Sequence, residues 1–183
     1  MAIFGPYTAR AEGGRAPDCY NRRFDEGAEG PTRSTDDDPT RETGLMRARV
    51  KWVEGMSFLG ETESGHAVLM DGAPEAGGRN LGPRPMETVL IGTGACTCFD
   101  VVLILKKGRH PVTDCVVEID ADRAAQDPKV FTRIHFHFVV TGKGLAHDPV
   151  ERAIKLSAEK YCSASAMLEK TADISHDFEI REA

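Results

Sequence analysis

From residue 46 onward hydrophobic and polar positions recur with regular periods, and before it they do not. Ala48, Val50 and Trp52 alternate with Arg49 and Lys51, the period of a half-buried strand. The segments MSFLGETESG and HAVLMDG continue as a hairpin turning at Ser64-Gly65. APEAGGRNLGPRP is too rich in turn residues to be regular. The apolar run from Met86 to Lys107 is far longer than a strand and predicts a helix, with Gly92 and Gly94 weakening its middle and Gly108 with Pro111 ending it. VTDCVVEIDADR and FTRIHFHFVVTG alternate as two more strands, Cys115, Val117 and Ile119 on one face of the first, Ile134, Phe136 and Phe138 on one face of the second. DPVERAIKLSAEKYCSASAMLEK predicts a second long helix, with Asp148 as N-cap and Pro149 opening it. ADISHDFEIRE alternates as a last strand. Three strands, a helix, two strands, a helix and a strand predict an α+β fold, a mostly antiparallel sheet covered by two long helices.

Residues 1–45 have few branched aliphatics and no periodicity, and are expected to be a disordered N-terminal extension, with one domain over 46–183. The change at Met46 suggests that the natural start is there. Intact mass of the native protein tests this, and a species beginning at Met1 refutes it. The formal charge of -6 provides no basic field for nucleic acid. Five cysteines without a CxxC pair suggest neither a disulfide framework nor a zinc module. The opening residues lack a secretory pattern, so a reducing cytoplasm is expected. Val89 to Leu105 is apolar except for Thr93, Thr97 and Asp100 and sits at the short limit for crossing a bilayer; a buried helix of a soluble protein is expected.

The thiols carry the candidate chemistry. Helical residues two apart point about 200° apart around the axis, so Cys96 and Cys98 face different surroundings. Cys98 shares a face with Val102 and Leu105 and is expected to fill the core. Cys96 shares its face with Thr93 or Gly92 before it and Asp100 after it. Cys162 lies on the second long helix, beside Lys160 and Tyr161. Two helices packed about 8–10 Å apart allow a bond between one thiol of each, without requiring it.

The stretch from Pro85 to Cys96, read as P-x-E-x-V-L-x-x-x-G-x-C, is followed by DVVLILKKGR and later by LSAEKYCSAS. Together these motifs resemble the OsmC/Ohr family, and within it the YhfA-like branch, from about Met46 to the C-terminus. The resemblance implies an OsmC-like fold in an intertwined homodimer. It also implies a thiol-dependent peroxidase in which Cys96 is the peroxidatic and Cys162 the resolving cysteine. Organic hydroperoxides are the implied substrates, a cellular dithiol the reductant, and oxidative stress response the role. No cofactor and no metal are implied.

The motif departs from the family's peroxidases at the activating pair. Their glutamate directly after the proline is replaced by Met86, and Glu87 stands one residue late, about 100° further around the helix. No glycine-flanked arginine occurs in WVEGMSFLGETESGH, which leaves Arg47 and Arg49 as candidates by position. Asp100, one turn from Cys96, is expected to raise its pKa, and Lys160 is a candidate charge partner for both. His135 and His137 share a strand face, as a metal pair does, and a sheet surface explains them equally. The main expectation is therefore a two-cysteine organic hydroperoxide peroxidase. The alternative is a non-catalytic protein of the same fold that binds a small apolar or thiol-bearing ligand near Cys96.

Overall fold

A computed structural model describes residues 46–183. The expected N-terminal extension, with Cys19 in it, lies outside the described residues. The described residues divide into two units, 46–50 with 60–67 and 51–59 with 68–183. In the first, Thr62 and His66 close the hairpin turn, where Gly65 holds φ +83°, and Arg49 pairs with Glu61 at 3.4 Å. In the order of the chain, β1 is Ala48–Glu54, β2 Ser57–Thr62 and β3 Ala67–Asp71, forming one three-stranded sheet in the order β1-β2-β3.

The second unit holds the rest. α1 is Pro85–Lys107, β4 Val112–Arg123, β5 Phe131–Gly142, α2 His147–Leu156, α3 Ser163–Leu168 and β6 Asp173–Arg181. β4 and β5 pair antiparallel, with Val117 opposite Phe138 and Ile119 opposite Phe136. β6 joins the other edge of β5 in parallel, because α2 and α3 carry the chain back across the sheet before it starts. The alternation places Ile134, Phe136, Phe138 and Val140 inward. They meet Val101 and Leu105 of α1 and Val150, Ala153 and Ile154 of α2, all at most 3% exposed. Each large side chain so buried contributes roughly 1.5–3 kcal/mol.

α1 is continuous through Gly92 and Gly94. Gly94 has a packing reason: a Cβ there would lie 2.5 Å from Ile119 Cδ1, so its absence lets the helix approach β4. α1 is long and apolar enough to cross a membrane by length and composition, and 28% of its most apolar window is buried within the chain. Ile91 is 60% and Phe99 67% exposed, and with Gly92, Ala95 and Leu103 they form an uncovered stripe at helical spacing.

The second long helix is in three pieces. It starts at His147 rather than beyond Asp148, with Ala146 at the N-cap and no side-chain cap, so the capping expected of Asp148 is not made. After Leu156 the chain widens into a π-helical turn, Ser157–Tyr161, closed by Cys162 N–H donating to Ser157 C=O at 2.9 Å. Cys162 then leaves the helical region (φ -72°, ψ 99°) and α3 begins.

Candidate active site

The site forms where α1 meets this irregular segment. The π turn accommodates one extra residue, which changes the direction of the following side chains without ending the packing against α1. As a result Cys162 points into the contact and is 3% exposed, while Cys96 is half-buried opposite it. The two thiols and the Ala164 amide, at the start of α3, are near enough to one another that Cys162 and Ala164 both influence the Cys96 thiol. The Cys162 sulfur accepts from Ser165 Oγ at 3.1 Å and from Ser165 N–H at 3.4 Å, so it serves as the N-cap of α3.

A polar chain lies beside the thiols. Thr97 and Ser157 hydroxyls, 4% and 0% exposed by residue, are 2.9 Å apart, and Ser157 Oγ lies 3.0 Å from Asp100 Oδ2. A carboxylate accepts only, so Ser157 donates its one proton to Asp100 and Thr97 must donate to Ser157. The carboxylate is thereby tied to the second helix segment. Burial pushes the Cys96 thiol above its ordinary value; Cys162 and Asp100 add to the rise, and the Ala164 amide opposes it. An isolated chain therefore holds Cys96 as a thiol rather than a thiolate around neutral pH.

The remaining residues expected at the site are employed elsewhere in the chain. Glu87 accepts the Arg84 N–H at 2.9 Å, closing a capping box at the start of α1, and has no contact with Cys96. Lys160 is exposed, with its ammonium 5.4 Å from the Tyr161 ring centroid; Asp100 takes Ser157 as its partner instead. Cys98 is not simply core filler. Its thiol donates to the Cys115 carbonyl at 3.4 Å and lies near enough to the Cys115 thiol to influence it. Residue pattern alone missed Thr97, Ser157, Ala164 and Ser165; the signal available was a set of small polar residues at helical spacing around two cysteines.

His135 and His137 do share a face, where they meet Asp177 at 3.4 Å and 2.5 Å, and His135 also bonds Ser175. His176 pairs with Phe136 and so projects from the other side. The exposed His147, Asp148 and Glu151 bring ligand-type atoms within 4.8 Å of one another at the start of α2. A groove of about 430 Å³ between α2 and β6 is lined by Ile154, Lys155, His176 and Phe178, and neither site thiol lines it.

A family model described as OsmC-like protein matches residues 77–177. Protein YhfA of Escherichia coli K12 is 52% identical over 135 residues, which cover 74% of this chain and 98% of that protein. A solved hypothetical protein from Aquifex aeolicus aligns with TM-score 0.67 at 27% identity, covering 76% of this chain and 98% of its own. An organic hydroperoxide resistance protein OsmC from Legionella pneumophila shares the fold at 17% identity, TM-score 0.56, covering 74% of this chain and 96% of its own. With the sheet order, the central helix and both cysteine motifs in place, this chain belongs to the OsmC family and to its YhfA-like branch.

Proposed function

We propose that this protein is a thiol-dependent peroxidase that reduces organic hydroperoxides through Cys96 and Cys162, in a cytoplasmic response to oxidative stress. One observation carries the proposal: the π turn sets Cys162 into the contact with α1, where it and the Ala164 amide are near enough to Cys96 to influence its thiol. In the first step the Cys96 thiolate attacks a peroxide oxygen; an S–O bond forms, the O–O bond breaks, and the alkoxide leaves as the alcohol after taking a proton. Cys162 then attacks the sulfenic sulfur, forming the disulfide and releasing water. A dithiol returns both thiols by exchange.

Burial raises the Cys96 thiol, so the peroxidase reading calls for an activating group beyond the Ala164 amide. A second copy is the natural source. The uncovered Ile91 and Phe99 stripe on α1 leaves large apolar side chains in water, as Val50 and Trp52 at 64% and 65% exposure do on β1. A homodimer built on that stripe would bury the helix, add apolar walls for an alkyl group beside Cys96, and bring cationic groups to the thiol. The raised thiol and the engagement of Glu87 in its cap favour a second function, binding of a small apolar or thiol-bearing ligand on the same dimer without turnover.

Trapping distinguishes them. Cys162→Ser protein treated with cumene hydroperoxide should accumulate Cys96 sulfenic acid that dimedone captures, after a single turnover. If Cys96 stays a thiol under these conditions, the ligand-binding function replaces the peroxidase.

A further inference from the structure

α1 carries a second thiol contact, on the face opposite the first. Gly94, Cys98, Val101 and Leu105 recur at spacings of four, three and four along the helix, so they form the row that faces β4. The inward row of β4 is Cys115, Val117, Ile119 and Ala121. Gly94 sets the separation of the two rows, since a Cβ there would come within 2.5 Å of Ile119 Cδ1. One turn further along the helix, the same close approach brings Cys98 over Cys115. The Cys98 thiol donates to the Cys115 carbonyl at 3.4 Å, which sets its sulfur beside the Cys115 side chain, near enough for each thiol to influence the other. Both residues are half-buried, so a small oxidant has access to them.

The geometry points to Cys98 and Cys115 as a second dithiol–disulfide couple, oxidised by hydroperoxide independently of Cys96 and Cys162. The electronic setting suits the step. The Cys115 thiol beside it lowers the Cys98 thiol to about 7, against burial and the nearby Asp114 carboxylate, and on ionising Cys98 gives up its own bond to the Cys115 carbonyl. Cys115 is pushed upward by Cys98, by burial and by Asp114. Cys98 thiolate attacks a peroxide oxygen, the O–O bond breaks, and the alcohol departs with a proton. Cys115 then attacks the Cys98 sulfenic sulfur; the S–S bond forms, and the hydroxyl leaves with the Cys115 proton as water. The product would tether α1, which carries Cys96, to β4, an edge strand of the sheet. Reduction by a dithiol reverses it.

Full-length Cys96→Ser/Cys162→Ser protein tests this without involving the first pair. It retains three thiols: Cys19, Cys98 and Cys115. After reduction, removal of the reductant and one equivalent of cumene hydroperoxide, two of the three should disappear, with loss of the mass of two hydrogens. Peptide mapping should find Cys98 joined to Cys115 within one chain. Cys98 oxidised to sulfinic acid with Cys115 free, a bridge involving Cys19, or three surviving thiols would each overturn the proposal. The alkylation rate of Cys98 in the same protein should titrate near pH 7 and move toward about 8.5 when Cys115→Ala is added. An unchanged titration would remove the contact on which the couple depends.

Discussion

Ser157→Ala should loosen the candidate site more than its size suggests. The Ser157 hydroxyl is fully buried and is the link between Thr97 and the Asp100 carboxylate, at 2.9 Å and 3.0 Å. Its removal deletes a hydrogen bond to a charged acceptor, worth about 1.5–3 kcal/mol, and leaves the Thr97 hydroxyl without its acceptor, which costs about 1–3 kcal/mol if nothing replaces it. Thr97 can turn toward the carbonyl of Thr93 in its own helix, and Asp100 is partly exposed and can take water. The sum therefore falls toward the lower end, about 2–4 kcal/mol. For a chain of this size each kcal/mol lowers the melting temperature by about 2–4 °C, so a fall of roughly 4–16 °C is expected. The assay is thermal and urea unfolding of fully reduced protein at one fixed concentration, since a dimer's stability depends on it. Thr97→Val added to Ser157→Ala should cost much less than the two single losses combined, because both ends of the link are then gone. A Ser157→Ala loss below about 0.5 kcal/mol would refute the linkage, because that is the range of an uninvolved surface position.

Gly94→Ala places a methyl within 2.5 Å of Ile119 Cδ1, so Ile119 must change rotamer or α1 must lift from β4; the expected loss is about 1–3 kcal/mol in urea unfolding, relieved by Ile119→Val. Asp71 is fully buried and accepts N–H bonds from Leu81, Arg79 and Gly72 and a hydroxyl bond from Ser57, the Leu81 amide being the largest influence holding its carboxyl below the usual range. A depressed acid stabilises the fold above its unfolded value near 3.8 and loses that contribution as pH falls through the folded value, so Asp71→Asn should flatten the acid limb of a stability–pH curve. The bond to Asp177 raises the His137 value above 6.5, so this pair stabilises fully below 6.5 and fades as pH rises through the folded value. His137→Gln should remove that decline in urea midpoints measured from pH 6 upward, and an unaltered slope would exclude the pair as its source.

Much of the fold was legible because burial on one side imposes a period. The alternation in VTDCVVEIDADR and FTRIHFHFVVTG and the apolar length of α1 gave the strands and the central helix. The interruption after Leu156 was not legible, since SAEKY has ordinary helix formers and only tertiary contact with α1 selects a π turn there. That turn is what aims Cys162. The parallel placement of β6 likewise depends on how α2 and α3 pack, which alternation does not encode. Glu87 looked like a site acid from its distance to the motif proline, but a glutamate three residues after Arg84 at a helix start also fits a capping box, and that local bond won. Cys98 read as filler because the helix pattern identifies its face without identifying the strand residue opposite; Cys115 lies 17 residues away and required the register of β4 against α1.

The central claim, that Cys96 and Cys162 act together on an organic hydroperoxide, is tested most directly by the fully reduced full-length protein. One equivalent of cumene hydroperoxide is added, quenched samples are peptide-mapped by mass spectrometry, and the rate is compared with that for hydrogen peroxide. A Cys96–Cys162 disulfide that forms faster with the organic peroxide is the predicted result. Thiols at both positions that oxidise no faster than a free cysteine peptide would contradict it.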